Sequence, residues 1–227
     1  MTRAALVVLA KAPVPGRVKT RLCPPATPAE AADVAAAALL DTLDAAAAVP
    51  ATRTLVALAG GLADAARRTE LGRALGRTDR TAQRGDGLGA RIVAAHADAA
   101  RRYPGLPSLQ VGMDTPQATP ALLADCLERL RGVDAVLGPA CDGGWWALGL
   151  RDPTAAGPVA DVPMSKADTG ERTLAVLRAA GLRVALLPEL RDVDTAADAC
   201  RVAAQVPGSR FARAVTAVAG FRAAERR

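Results

Sequence analysis

Two hydrophobic patterns alternate along this chain. Short, nearly continuous apolar runs end in glycine, proline or aspartate, and between them apolar positions recur three and four residues apart. The runs at 4–10, 54–59, 108–112, 133–137, 145–150 and 183–187 read as strands buried on both faces. The intervening stretches read as helices. The clearest is residues 120–130, where Leu122, Leu123, Cys126, Leu127 and Leu130 share one helical face. Thr27-Pro28-Ala29-Glu30 gives an N-cap, a proline at the first helical position and a reciprocal capping acid. Thr195 and Asp198 repeat the capping pair. Strands alternating with helices predict an α/β three-layer sandwich around a mainly parallel sheet.

Punctuation fixes the rest. The glycine-dense stretch 83–91 opens a helix reaching about residue 102, but its glycines are spaced GxGxG and no clear strand precedes it, so it is no dinucleotide fingerprint. Gly16-Arg17-Val18-Lys19-Thr20 is no P-loop, because Val18 stands where glycine is required. A helix is expected from Leu62, and the chain ends in a basic amphipathic helix. One domain over residues 1–207 followed by a C-terminal basic helix over 208–227 is the expected organisation.

Composition narrows the chemistry. Aromatic residues are 2% of the 227, which leaves few rings for base stacking, and the net charge of +6 is spread along the chain. Nucleic acid is therefore not an expected partner. No run is long enough for a membrane span and no signal peptide is read, so the cytoplasm is the expected compartment. The four cysteines, Cys23, Cys126, Cys141 and Cys200, lack paired metal-ligand spacing. With His96 the single histidine, Ser-His-Asp and Cys-His chemistry have no visible constellation. Carboxylates, cations and a divalent metal are left to do the work.

The first strand empties into Lys11-Ala12-Pro13-Val14-Pro15-Gly16-Arg17-Val18-Lys19-Thr20-Arg21, which holds two of the three lysines of a chain that otherwise writes arginine. Lys11, Arg17, Lys19 and Arg21, on a loop stiffened by proline and opened by Gly16, read as a site for an anion at a strand's C-terminal end or as a solvated basic turn. Asp114, directly after a strand, is placed to hold Mg²⁺ or Mn²⁺ against phosphates, or to bond its own turn amides. Asp142-Gly143-Gly144-Trp145-Trp146 reads as a ligand-facing turn or as a hairpin with core indoles; alternation sends the two rings to opposite faces. Asp192 is the second candidate metal ligand, while Asp194 and Thr195 are expected to belong to helix capping.

Together and in this order, the stretches 11–22, 83–91, 112–116, 137–144 and 192–195 resemble a family of small bacterial glycosyltransferase-A-like proteins, often labelled arsenosugar-biosynthesis glycosyltransferases. The resemblance implies a Rossmann-like nucleotide-diphospho-sugar transferase fold, related to the molybdenum-cofactor and phospholactate guanylyltransferases. It implies that Lys11, Gly16, Arg17, Lys19 and Arg21 hold nucleotide phosphates, with Thr20 and Gln83 alongside, and that Asp114 holds the metal. Gly143, Gly144 and Trp145 are then left to a small-molecule acceptor, with Asp142 as catalytic carboxylate. The implied activity is metal-dependent transfer from a nucleotide-sugar donor. The alternatives are nucleotidyl transfer from an NTP to a phosphorylated acceptor, and nucleotide binding without catalysis. A homodimer is compatible with either enzyme. The chain departs from the family in having one acid in Asp114-Thr115-Pro116, not Asp-x-Asp, and in carrying Gln117 where aspartate is common.

Overall fold

The computed structural model describes residues 4–224, with side chains as far as Phe221; the extreme ends of the expected domain and of its C-terminal helix, 1–3 and 225–227, lie outside the described residues. Seven strands form one sheet in the order β3-β2-β1-β4-β6-β5-β7. They are β1 (Ala4–Lys11), β2 (Thr52–Ala59), β3 (Asp79–Ala82), β4 (Ser108–Gly112), β5 (Ala135–Pro139), β6 (Trp145–Leu150) and β7 (Val184–Leu186). All pairings are parallel except those of β6, which runs antiparallel between β4 and β5.

Successive residues of β1 serve opposite layers, as the two-residue period of a strand requires. Leu6, Val8 and Ala10 pack with α1 (Pro28–Ala48) and α4 (Pro120–Leu130). Ala5 and Val7 pack against Ala95 and Ala99 of α3 (Gly87–Arg102). That face is extended by α5 (Thr169–Ala179) and a 3₁₀ turn at Pro153–Val159, over Leu137, Leu148 and Leu150. The sheet is thus covered on both sides, the expected three-layer sandwich. The Thr27–Glu30 capping box opens α1 as read, with Glu30 N–H donating to Thr27 Oγ1 at 3.2 Å.

Three elements differ from the sequence reading. β3 is a strand, though Asp-Arg-Thr-Ala carries no apolar run; it is an edge strand paired only to β2, and an edge needs no second apolar face. The helix after Gly61 begins later, as α2 (Arg68–Leu75), with Arg67 in the left-handed region at its cap. The basic C-terminal stretch is two helices, α7 (Arg210–Ala217) and α8 (Ala219–Ala224), separated at Val218. Both phenylalanines of the chain, Phe211 and Phe221, are buried here with Val34 and Ala37 of α1 and with Val202 of α6 (Ala196–Gln205). Arg210 ties α7 to Asp41 and Asp44 at 3.1 and 2.7 Å.

The winding reverses at β1: β2 lies on one side and β4 on the other. Open α/β sheets bind ligands in the crevice outside the strand C-termini at such a switch point.

Candidate functional site

A cavity of about 640 Å³ opens at that crevice. Lys11 at the end of β1, Gln83 after β3, Asp114 and Thr115 after β4, and Asp142 before β6 all border it. Asp192 and Asp194 come to it from the far side of β5. A bridge from Ala140 to Leu190 extends β5, and Val193 N–H donates to the Asp114 carbonyl at 3.3 Å, so backbone pairing delivers the 192–194 segment to the end of β4.

The first loop brings its cations unequally. Lys19 adopts φ 46° and ψ 39°, left-handed for a non-glycine residue, at the start of a 3₁₀ turn (Thr20–Leu22). This turns its side chain inward, where Nζ lies 2.8 Å from Asp114 Oδ2 and 3.7 Å from Asp194 Oδ1 and donates to the Val193 carbonyl. Burial lowers the ammonium's pKa, but the Asp114 carboxylate, then Asp194 and Asp192, outweigh burial, and the net shift is upward. Arg21 pairs with Asp194 at 2.8 Å. Lys11 and Arg21 border the cavity; Gly16, Arg17 and Thr20 are exposed and lie outside its lining.

Carboxylates dominate the other wall. Asp142, Asp192 and Asp194 each offer an oxygen within 4.8 Å of the others. Burial, then the neighbouring Asp142, Asp114 and Asp194 charges, push the Asp192 carboxyl up to about 6. Asp194 reaches the site because Thr195 and Asp198 satisfy the cap of α6 between themselves. The sequence alone assigns Asp194 to helix capping; the reciprocal Thr195–Asp198 pair is the signal that it is free of that duty. The hard-oxygen donor set fits Mg²⁺ or Mn²⁺ and not a softer ion.

In the Asp142–Trp146 turn, Asp142 Oδ1 accepts the Gly144 N–H at 2.8 Å, which fixes the carboxylate's plane. Gly143 has φ +86°, and a Cβ there would stand 1.8 Å from the Ala167 carbonyl oxygen. Its absence of a side chain therefore serves packing against the 163–170 loop, while Gly144 and Trp145 border the cavity. The two indoles part as alternation predicts. Trp145 is half-buried, with Nε1–H donating to Thr173 Oγ1 at 3.1 Å, and Trp146 is buried, with Nε1–H donating to the Pro188 carbonyl at 2.9 Å.

Gln83 gives its amide N–H groups to the Ala10 and Ala57 carbonyls at 2.8 and 2.9 Å, which leaves its oxygen as the group for a ligand. Residues not singled out from the sequence also border the cavity: Arg91, Met164 and the buried Gln110 and Thr115, whose Oε1 and Oγ1 have no protein partner. Ser165 and Lys166, the alternative acceptor position if the Asp142 turn is structural, border the cavity too, and Lys166 is the chain's third lysine. His96 is remote from this chemistry, fully buried with Nδ1 2.7 Å from Ser108 Oγ.

Residues 42–166 match the model of a family described as "Uncharacterized protein conserved in bacteria (DUF2064)". The chain belongs to this family. No curated protein matches it. Among solved structures it is similar to a protein of Desulfovibrio desulfuricans whose assignment as a nucleotide-diphospho-sugar transferase is provisional. The TM-score is 0.82 at 27% identity, over 100% of this chain and 96% of that one. Rv0371c of Mycobacterium tuberculosis superposes with TM-score 0.57 at 24% identity over 88% of this chain and 98% of that one, and that protein has also been crystallised with manganese. CMP:2-keto-3-deoxy-manno-octonic acid synthetase, in complex with CTP, shares the fold at TM-score 0.53 and 14% identity, over 87% of this chain and 95% of that one. The chain's fold is therefore that of nucleotide-diphospho-sugar transferases and nucleotidyltransferases. Among the described residues, no helix is long and apolar enough to cross a membrane.

Proposed function

We propose that this chain is a divalent-metal-dependent enzyme that transfers a glycosyl group from a nucleoside-diphosphate sugar to a hydroxyl of a small acceptor. The observation that carries the reading is the convergence of Asp142, Asp192 and Asp194 with Lys11 and Arg21 in one cavity at the β1–β4 switch point, with Lys19 paired to Asp114 and Asp194 of its lining. Asp192 and Asp194, with Asp142 beside them, would hold Mg²⁺ or Mn²⁺. The ion would supply charge neutralisation for the departing diphosphate.

The chain's own residues do the rest. Lys11 and Arg21 lie where cations attract the diphosphate and stabilise the charge that develops as the glycosyl–oxygen bond breaks. Gln83 offers its oxygen to a donor group on the base. Trp145 presents a ring face to the acceptor. Asp142, exposed and fixed in plane by Gly144, orients the acceptor hydroxyl and takes its proton as the new glycosidic bond forms.

A second reading, nucleotidyl transfer with release of pyrophosphate, is favoured by the single acid Asp114 and by the fold shared with a CTP-complexed synthetase. Incubation with nucleotide sugars and with NTPs, each with Mn²⁺ and candidate acceptors, separates the two. Free nucleoside diphosphate supports glycosyl transfer, pyrophosphate supports the second reading, and saturable binding with no turnover overturns both.

A further inference from the structure

Asp114 has the position expected of a metal ligand, yet its charge is already answered. The Lys19 ammonium stands in an oxygen cage made by the Asp114 carboxylate at 2.8 Å, the Val193 carbonyl and, at 3.7 Å, the Asp194 carboxylate. These ligands are hard oxygens, the type a divalent cation takes. Thr115, 1% exposed and one of the residues that line the cavity with Asp114 and Asp194, has a buried hydroxyl without a protein partner. Lys19 reaches this cage from a left-handed backbone, a conformation that persists only when its surroundings hold it.

We propose that the Lys19 ammonium occupies a divalent-cation position, as a tethered competitor that Mg²⁺ or Mn²⁺ must displace from Asp114. The inference rests on the metal-dependent reading above and deepens it. Asp142, Asp192 and Asp194 are grouped beside this cage, with Asp194 common to both. An ion drawn to that group meets Lys19 as a like charge and Asp114 as a partner already taken. When the metal takes Asp114, the ammonium is released on its loop toward the diphosphate oxygens. The loop cation and the strand-end acid are then partners of each other at rest and of phosphate and metal when loaded.

The test is Mn²⁺ binding to the full chain, followed by calorimetry and by electron paramagnetic resonance, with no nucleotide present. Lys19→Met is expected to tighten Mn²⁺ binding about tenfold or more, as follows from removing a positive charge a few ångströms away even at an effective dielectric of ~20. Lys19→Arg keeps the charge and is expected to bind Mn²⁺ no more tightly than the wild type. Adding Asp114→Asn to Lys19→Met should erase the gain. Pyrophosphate, as the probe of the diphosphate, should bind the Mn²⁺-loaded wild type more tightly than the Mn²⁺-loaded Lys19→Met variant. Equal Mn²⁺ affinity in wild type and Lys19→Met, or equal tightening by Met and Arg, overturns the proposal while leaving the metal-dependent function standing. Equal pyrophosphate affinity overturns the release of Lys19 to phosphate. Absence of Mn²⁺ binding in every variant overturns the metal reading, and this proposal with it.

Discussion

The two edges of the sheet treat the same residue types in opposite ways. At the strand N-termini, Asp134 accepts Arg183 Nε–H at 2.8 Å and the Arg183 backbone N–H at 3.0 Å, with Arg151 3.8 Å away. Those hydrogen bonds, led by the Arg183 side chain, hold its carboxyl down at about 2. Arg151 in turn donates to the Val133 carbonyl at 2.8 Å. At the strand C-termini, Asp192 sits among Asp114, Asp142 and Asp194, and is raised to about 6. One edge balances its charges locally; the other gathers four carboxylates around Lys19 and Arg21. Concentrated like charge costs folding energy, and this is the edge to which the proposed metal and diphosphate are assigned.

The sharpest way to break the contrast is at its C-terminal edge. Asp142→Asn keeps the turn's shape and removes the charge. Turnover of the nucleotide-sugar donor should fall about 10²–10⁴-fold, the usual worth of a positioned acid or base, while the circular dichroism spectrum stays unchanged. Turnover that survives together with a lowered melting temperature would make the turn structural.

Next in size is the buried pair near the other edge, where His96 lies against Ser108 at the start of β4. Burial lowers the His96 pKa from 6.5 to about 4, so the native state resists a proton that the unfolded chain accepts. Its stabilising share is complete above pH 6.5 and is lost as pH falls toward 4, by roughly 3 kcal/mol. Urea denaturation from pH 7 to pH 4 checks this, and His96→Gln should flatten that part of the profile.

A smaller effect, of opposite sign, is expected at Asp192. Its pKa is raised from 3.8 to about 6, so its contribution to stability falls as pH rises between those values and stays low above them. Asp192→Asn cannot ionise. It should raise the melting temperature at pH 7 and leave it unchanged at pH 3.5. A variant less stable than wild type at pH 7 would show that Asp192 is held by bonds rather than strained by repulsion.

The least effect should come from Asp134→Asn. The group is half-buried, its arginine partners are exposed, and the pairs are screened by solvent. Thermal shift should show a slight loss of stability, and Mn²⁺ affinity and turnover should not change. If this substitution alters Mn²⁺ binding as much as Asp192→Asn does, the distinction between the edges fails.

The sequence by itself determined what local physics governs. Apolar runs placed six of the seven strands; in β1, β4, β5 and β6 this is because a strand buried on both faces must be apolar throughout. Capping chemistry placed the starts of α1 and α6, since an N-cap and its partner lie three residues apart. Alternation sent Trp145 and Trp146 to opposite faces for the same local reason. The edge strand β3 escaped, having no apolar face to announce it. Only the tertiary structure decided which charges meet. Lys19 and Asp114 are 95 residues apart in the chain and Arg21 and Asp194 173, and no local spacing encodes either pair. The parallel β1–β4 pairing and the bridge beside β5 bring them together, so loop cations that read as a free phosphate cradle are, in the folded chain, partly spent on the acids across the crevice.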